Sequence, residues 1–365
     1  MEPVRDSSQH LQLLSELLLT HPQRLANKSS RAQEWGAMAG ASELQELTAL
    51  AITNHVILRA FDPLGARLDE AKNAQMAEKV AAAMLEEHRR IEHALGFLTQ
   101  ICRALEDDGC PVIVIKSLDH WPDLGSDLDL YTDAEPAAVV SVMKAKFSAT
   151  LADRSWGDRL ANKWNFIVPG LPELIEVHAR RLGQTGEQTA LTHSVSERAV
   201  IKKVGPYSFR VAAPEDRIVI STLQRMYRHF YIRLCDIVDN ARLLDSRIVD
   251  FEYLRSLGSG SGLWEGIATY LNIISQYVET YRGYGVPLPA PVHDAARFGT
   301  SKVRFRKDFL RVPILPDSLN LYAGELKTLF FRGELRNTLR LSLLPGLATA
   351  AALEQKITGS DKGIW

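Results

Sequence analysis

The stretch GSDLDLYT places Asp127 and Asp129 two residues apart, alternating with Leu128 and Leu130. On a strand, residues i and i+2 share a face. The leucines then face a core, and both carboxylates project side by side on the accessible side. A third acid, Glu176, lies between Ile175 and Val177 in another short run, ELIEVHAR, where strand propensity disfavours it. If the two strands are neighbours, three hard oxygen donors converge. Mg²⁺ takes such a set and completes its shell with water and substrate phosphates. Two such ions clamp the attacking and leaving oxygens of a phosphoryl transfer, and a spare carboxylate can take the proton of an attacking hydroxyl. A short Asp-x-Asp also decorates solvated edge strands, so the residues alone leave both readings open.

Several other groups lie near these acids in the pattern. Lys116 ends the apolar run PVIVI, and Ser117 follows it. Either can meet a phosphate or serve as the polar end of a strand. Ser126 precedes Asp127 in a turn. His178 shares the face of Glu176, and reads as a substrate contact or a structural histidine. Lys163, in NKWNF, points to nucleotide or to solvent. The segment RMYRHFYIRLCD carries Arg225, Arg228, His229 and Arg233. Its arginines bind phosphates in one reading and pair with Asp236 or Asp239 in the other.

The elements that must position these groups follow from periodicity. From Met76 to Leu105, Val80, Met84, His88, Ile91, Leu95, Leu98, Cys102 and Leu105 recur at spacings of three and four, which marks one face of a long helix. Gly109 stops it. SSQHLQLLSELLLTH and SELQELTALAITNHVILRAF read as helices before it. PVIVI and DLDLYT read as strands, EPAAVVSVMKAKF as a helix opened by Pro136, and KWNFIV with ELIEVHAR as a hairpin. KKVGPYSFRVA reads as a second hairpin. From Pro214 the pattern is one long helix to about Asp245. GSGSG, residues 258–262, reads as a flexible joint before another helix. Residues 286–320 read as irregular, and the end as weak helix followed by a polar tail.

Composition bounds the class. The chain has 365 residues, with 43 Lys and Arg against 44 Asp and Glu. That near-neutral balance disfavours a broad grip on nucleic acid and counts against a metal-dependent nuclease. Three cysteines without CxxC spacing disfavour a disulfide framework or structural zinc and fit a cytoplasmic protein. The N-terminus lacks a basic signal region, and no run is apolar enough to span a membrane.

The motif order resembles the nucleotidyltransferase superfamily typified by DNA polymerase β. Its pattern is a hydrophobic residue, a Gly-Gly/Ser turn, a short spacer, Asp-hydrophobic-Asp/Glu-hydrophobic, and a third acid on a later strand. Here Ile115, Lys116 and Ser117 precede Asp127–Leu130, and Glu176 follows. More narrowly, VIVIKS, DLDL, IEVHAR and IRLCDIVD are similar to the Lys-Gly, Asp-Ile-Asp-Leu, Asp-Leu-His-Trp and Arg-Leu-x-Asp-Ile motifs of a bacterial family of uncharacterised nucleotidyltransferases. The likeness spans roughly residues 78 to 245. Two departures stand out: Lys116-Ser117 replaces the glycine turn that lets backbone approach a triphosphate, and the family arginine ahead of the aspartates is missing.

The resemblance implies an α+β fold, with a mixed-sheet core (residues 109–212) between helical regions (1–108 and 213–365). It implies transfer of a nucleoside monophosphate from an NTP, ATP above others, to an acceptor hydroxyl or phosphate, releasing pyrophosphate. Asp127, Asp129 and Glu176 would hold Mg²⁺ or Mn²⁺ and carry catalysis. Lys116, Ser117, Ser126, Lys163 and Arg233 would bind nucleotide, with His178 touching substrate. The acceptor class (small molecule, peptide, protein or tRNA) stays open, as does a non-catalytic member that binds a ligand or partner.

Overall fold

The computed structural model describes residues 7–20, 31–306 and 308–346; the expected polar tail lies outside them. Among these, five helices precede the first strand: α1 (Ser7–Leu19), α2 (Arg31–Met38), α3 (Ala41–Thr53), α4 (Ile57–Glu70) and α5 (Ala74–Asp107). The stripe on α5 is the expected one at Val80, Ile91, Leu95, Leu98 and Leu105, all buried, while His88 is exposed. Asn73 caps its start by accepting from the Met76 amide, and Gly109 follows its end at φ +75°.

The central sheet has seven strands: β1 (Val112–Val114), β2 (Asp127–Thr132), β3 (Thr150–Leu151), β4 (Lys163–Ile167), β5 (Leu174–Ala179), β6 (Val200–Val204) and β7 (Tyr207–Val211). Their order is β3-β4-β5-β2-β1-β7-β6. The pairs β2–β5 and β1–β7 are parallel and the others antiparallel, including the two expected hairpins. Helices α6 (Pro136–Phe147), α7 (Trp156–Leu160) and α8 (Thr189–Arg198) connect them. The fold is therefore α+β with a mixed sheet and helical flanks. Leu128, Leu130, Ile175 and Val177 are fully buried and fix the register of the two central strands, because a one-residue slip would turn them over.

The second half departs from expectation. The single helix read from Pro214 breaks into α9 (Pro214–Thr222), a π-helical turn (Leu223–Arg228), β8 (Tyr231–Ile232) and α10 (Leu234–Asp245). Phe230 sits at φ +54°, and β8 pairs with β10 (Phe309–Arg311), which pairs with β9 (Arg304–Arg306). Pairing with a segment eighty residues away overrides a helical local preference. The region read as irregular thus contributes two strands and α13 (Ala290–Ala295).

Residues 258–262 are no flexible joint. They end α11 (Phe251–Ser261), with Gly262 at φ +77° as the left-handed cap before α12 (Trp264–Arg282). A Cβ at Gly262 would lie 2.8 Å from the Glu325 Cα in α14 (Leu319–Phe331). Glycine is there for close packing and a positive φ. The helix read across residues 42–61 also breaks, at Asn54–Val56, where the Asn54 side chain accepts from Leu234 N at 3.0 Å and donates to Asp308 O. Helix α15 (Leu335–Ser342) closes the described chain, and no helix among the described residues is long and apolar enough to cross a membrane.

Candidate active site

Asp129 and Glu176 stand opposite each other in the parallel β2–β5 ladder, with Asn165 opposite Glu176 from β4. Even spacing along parallel strands puts their side chains on one face. That face is not open to solvent, contrary to the sequence expectation. Asp129 is 7% exposed and Glu176 8%, and Leu191 of α8, Ile220 of α9 and Leu223 of the π turn line a pocket together with Lys116 and His178. Asp127 is half-buried, and Ser126 beside it is exposed.

Lys116 adopts φ +65°, a left-handed conformation that strains a residue bearing a Cβ. It occupies the turn where the resemblance expects glycine. Its Nζ contacts Asp129 Oδ1 and lies 3.6 Å from Glu176 Oε1. Lys163 Nζ is 2.5 Å from Glu176 Oε2. His178 Nε2 is 2.9 Å from Glu176 Oε1 and 3.9 Å from Asp129 Oδ1. The Ser117 hydroxyl accepts from the Asp129 amide at 2.7 Å and donates to the Asp127 carbonyl at 3.1 Å. It ties the β1–β2 turn to β2, so its oxygen is engaged by the backbone.

Burial and the Glu176 charge push the Asp129 carboxyl up to about 8, although Lys116 opposes the shift. Glu176 is equally buried, but Lys116, His178 and Lys163 hold it well below the usual carboxylate range. The surroundings thus push the two carboxyls apart, Asp129 upward and Glu176 downward. Burial and Glu176 also raise Asp127. Burial depresses His178 to about 4 despite Glu176, so its ring is neutral. Its Nε2–H donates to Glu176, which leaves Nδ1 as the bare nitrogen. Among the described residues that buried Nδ1 has no partner, and neither does Asn165 Oδ1.

A small cavity, partly open to solvent, adjoins these groups. Lys116, His178, Gln184, Leu223, Gln224 and Arg228 are among its lining residues. The three arginines of this segment separate clearly. Arg225 is buried with Nε 2.7 Å from Asp236 Oδ2. Arg233 donates to His55 Nε2 at 2.7 Å and lies over the Tyr231 and Phe309 rings. Arg228 lines the cavity and makes no ion pair among the described residues.

Residues 40–274 match the family described as uncharacterised nucleotidyltransferase, well over half of the chain. The chain belongs to that family. No curated protein and no solved structure matches the chain. The span of the uncharacterised nucleotidyltransferase family holds every residue of the acidic cluster and ends within α12, so β9, β10, α14 and α15 lie beyond it.

The donor set suits a hard divalent cation. Asp129, Glu176 and His178 each offer a ligand atom within 4.8 Å of the others, and Asn165, whose side-chain oxygen is buried without a partner among the described residues, is opposite Glu176 in the ladder. Asp127, expected among the ligands, is outside this close set and stands at its edge. Two residues that the sequence reading passed over belong to the site's frame. Asn165 alternates with Lys163 on β4, a period-two signal that places both on one face. Arg90 of α5 donates to the Leu124 carbonyl at 3.0 Å and binds Glu173. It fixes the chain entering both β2 and β5, and no local pattern marks it.

Proposed function

We infer that this chain transfers a nucleoside monophosphate from an NTP to an acceptor hydroxyl or phosphate. The observation that carries this is the in-register Asp129–Glu176 pair, buried beside a cavity lined by Lys116 and Arg228. Asp129 and Glu176, with Asp127 at the edge, are the proposed holders of Mg²⁺ or Mn²⁺. When bound, the metal supplies Lewis-acid charge to the phosphate oxygens. Glu176, ionised at neutral pH, can receive the acceptor proton, while His178 Nδ1 accepts a hydrogen bond that orients the hydroxyl. The acceptor oxygen bonds to the α-phosphorus, the bond to the β-phosphate breaks, and pyrophosphate leaves. Lys163 keeps Glu176 ionised, and Lys116 and Arg228 meet phosphate charge. Arg233, near Asp127, and Ser126 are proposed at the nucleotide side of the mouth.

A second reading has its own support. The Lys116 ammonium already occupies the space between Asp129 and Glu176, as in a non-catalytic binding protein. Two measurements separate the readings. Label from [α-³²P]ATP, but not from [γ-³²P]ATP, should pass to an acceptor in cell extract. The Asp127→Asn/Asp129→Asn variant should lose both that transfer and Mg²⁺-dependent ATP binding. Unchanged ATP binding in the double variant would end the metal-site proposal.

A further inference from the structure

We propose that Lys116 is an exchangeable counter-ion, resident between Asp129 and Glu176 until a phosphate chain draws it toward Arg228, so that divalent metal and phosphate bind cooperatively. The inference rests on nucleotidyl transfer at this site and adds how its ligands are coupled.

Three observations carry it. The first is position. Lys116 Nζ touches Asp129 Oδ1 and lies 3.6 Å from Glu176 Oε1, between the two carboxylates proposed to hold the divalent cation. Ammonium and metal cannot occupy that gap together, since like charges at such range repel strongly in a buried site. The second is the place available to the displaced ammonium. Lys116 lines the cavity together with Arg228, and the Arg228 charge opposes the Lys116 charge. Two cations facing one cavity need an anion between them. The third is vacancy of partners. Among the described residues Arg228 has no carboxylate, whereas Arg225 and Arg233 are engaged. A guanidinium with free donors suits phosphate oxygens. A phosphate chain in the cavity would therefore favour Lys116 on the Arg228 side and release the acids. By linkage, each ligand then raises affinity for the other by the same factor.

The test is Mn²⁺ binding, read by electron paramagnetic resonance, with and without inorganic pyrophosphate. Wild type should bind Mn²⁺ weakly alone and about ten-fold tighter with pyrophosphate. Lys116→Met, which removes the competing charge and keeps the chain length, should bind Mn²⁺ about ten-fold tighter than wild type without pyrophosphate, and gain little from adding it. Arg228→Gln should match wild type alone and lose the enhancement. A second arm adds inorganic phosphate to protein saturated with Mn²⁺ and AMP. If Arg228→Gln abolishes phosphate binding there too, the subsite serves an acceptor phosphate; if only pyrophosphate binding is lost, it serves the β- and γ-phosphates.

Lys116→Met binding Mn²⁺ no tighter than wild type, with full enhancement in Arg228→Gln, overturns the exchange while leaving nucleotidyl transfer standing. Should Lys116→Met fail to melt cooperatively, the Arg228→Gln arm decides alone. Absence of Mn²⁺ binding in wild type, with or without pyrophosphate, overturns both this inference and the metal-dependent reading.

Discussion

Arg59 Nη1 lies 2.5 Å from Asp239 Oδ1, joining α4 to α10 across 180 positions of chain. The same guanidinium places Nε 2.6 Å from Asp123 Oδ2, in the loop that leads into β2. Asp239 in turn sits 2.5 Å from His120 Nδ1, and His120 Nε2 faces the buried Cys235 sulfur at 3.9 Å. One buried cation thus ties an early helix, the loop before the aspartates and a late helix together.

Arg59→Met should be strongly destabilising. It would leave Asp123 and Asp239 buried without their common cation, and breaking a buried pair from one side costs about 3 to 5 kcal/mol. Urea denaturation measures it. A loss below about 1 kcal/mol would show that water or His120 replaces the guanidinium.

Asp216, at the start of α9, is fully buried, and burial raises its carboxyl to about 6 despite a hydrogen bond from Ser194 at 2.5 Å. A carboxyl raised above its unfolded value binds its proton more tightly in the folded state. Folded stability therefore falls as pH rises from about 4 to about 6 and is flat above. Asp216→Asn should stabilise the protein by about 3 kcal/mol at pH 7.5 and lose that advantage at pH 3.5. Melting temperatures of both proteins at the two pH values test this; a gain independent of pH contradicts it.

Gly262→Ala should cost about 2 kcal/mol, because it combines a positive φ with a Cβ that meets the α14 backbone. In a flexible joint, the same change would be neutral or would stabilise by restricting the unfolded chain. Thermal unfolding of this single variant therefore separates a packed helix end from a hinge.

The sequence by itself determined much of the frame. The spacing of three and four along α5, the β-branched run at Val112–Val114 and the leucines alternating with Asp127 and Asp129 are signals of period. Period depends on local geometry, so it survives without tertiary information. The acids Asp127, Asp129 and Glu176 were legible for the same reason: each is a poor strand residue inside a strong strand pattern.

Only the tertiary structure decided how the acids are surrounded. It chose which strand lies beside β2 and set Asp129 opposite Glu176. It buried Asp129 and Glu176 on a face that period alone assigned to solvent. It turned Lys116 back onto the acids, set Asn165 of β4 opposite Glu176, and left Arg228 as the arginine of its segment that lines the cavity with no ion pair among the described residues. It also drew Tyr231–Ile232 out of an apparent helix into a sheet with Phe309–Arg311. Each of these depends on pairing or burial between residues far apart in the chain. No window of local sequence carries that energy.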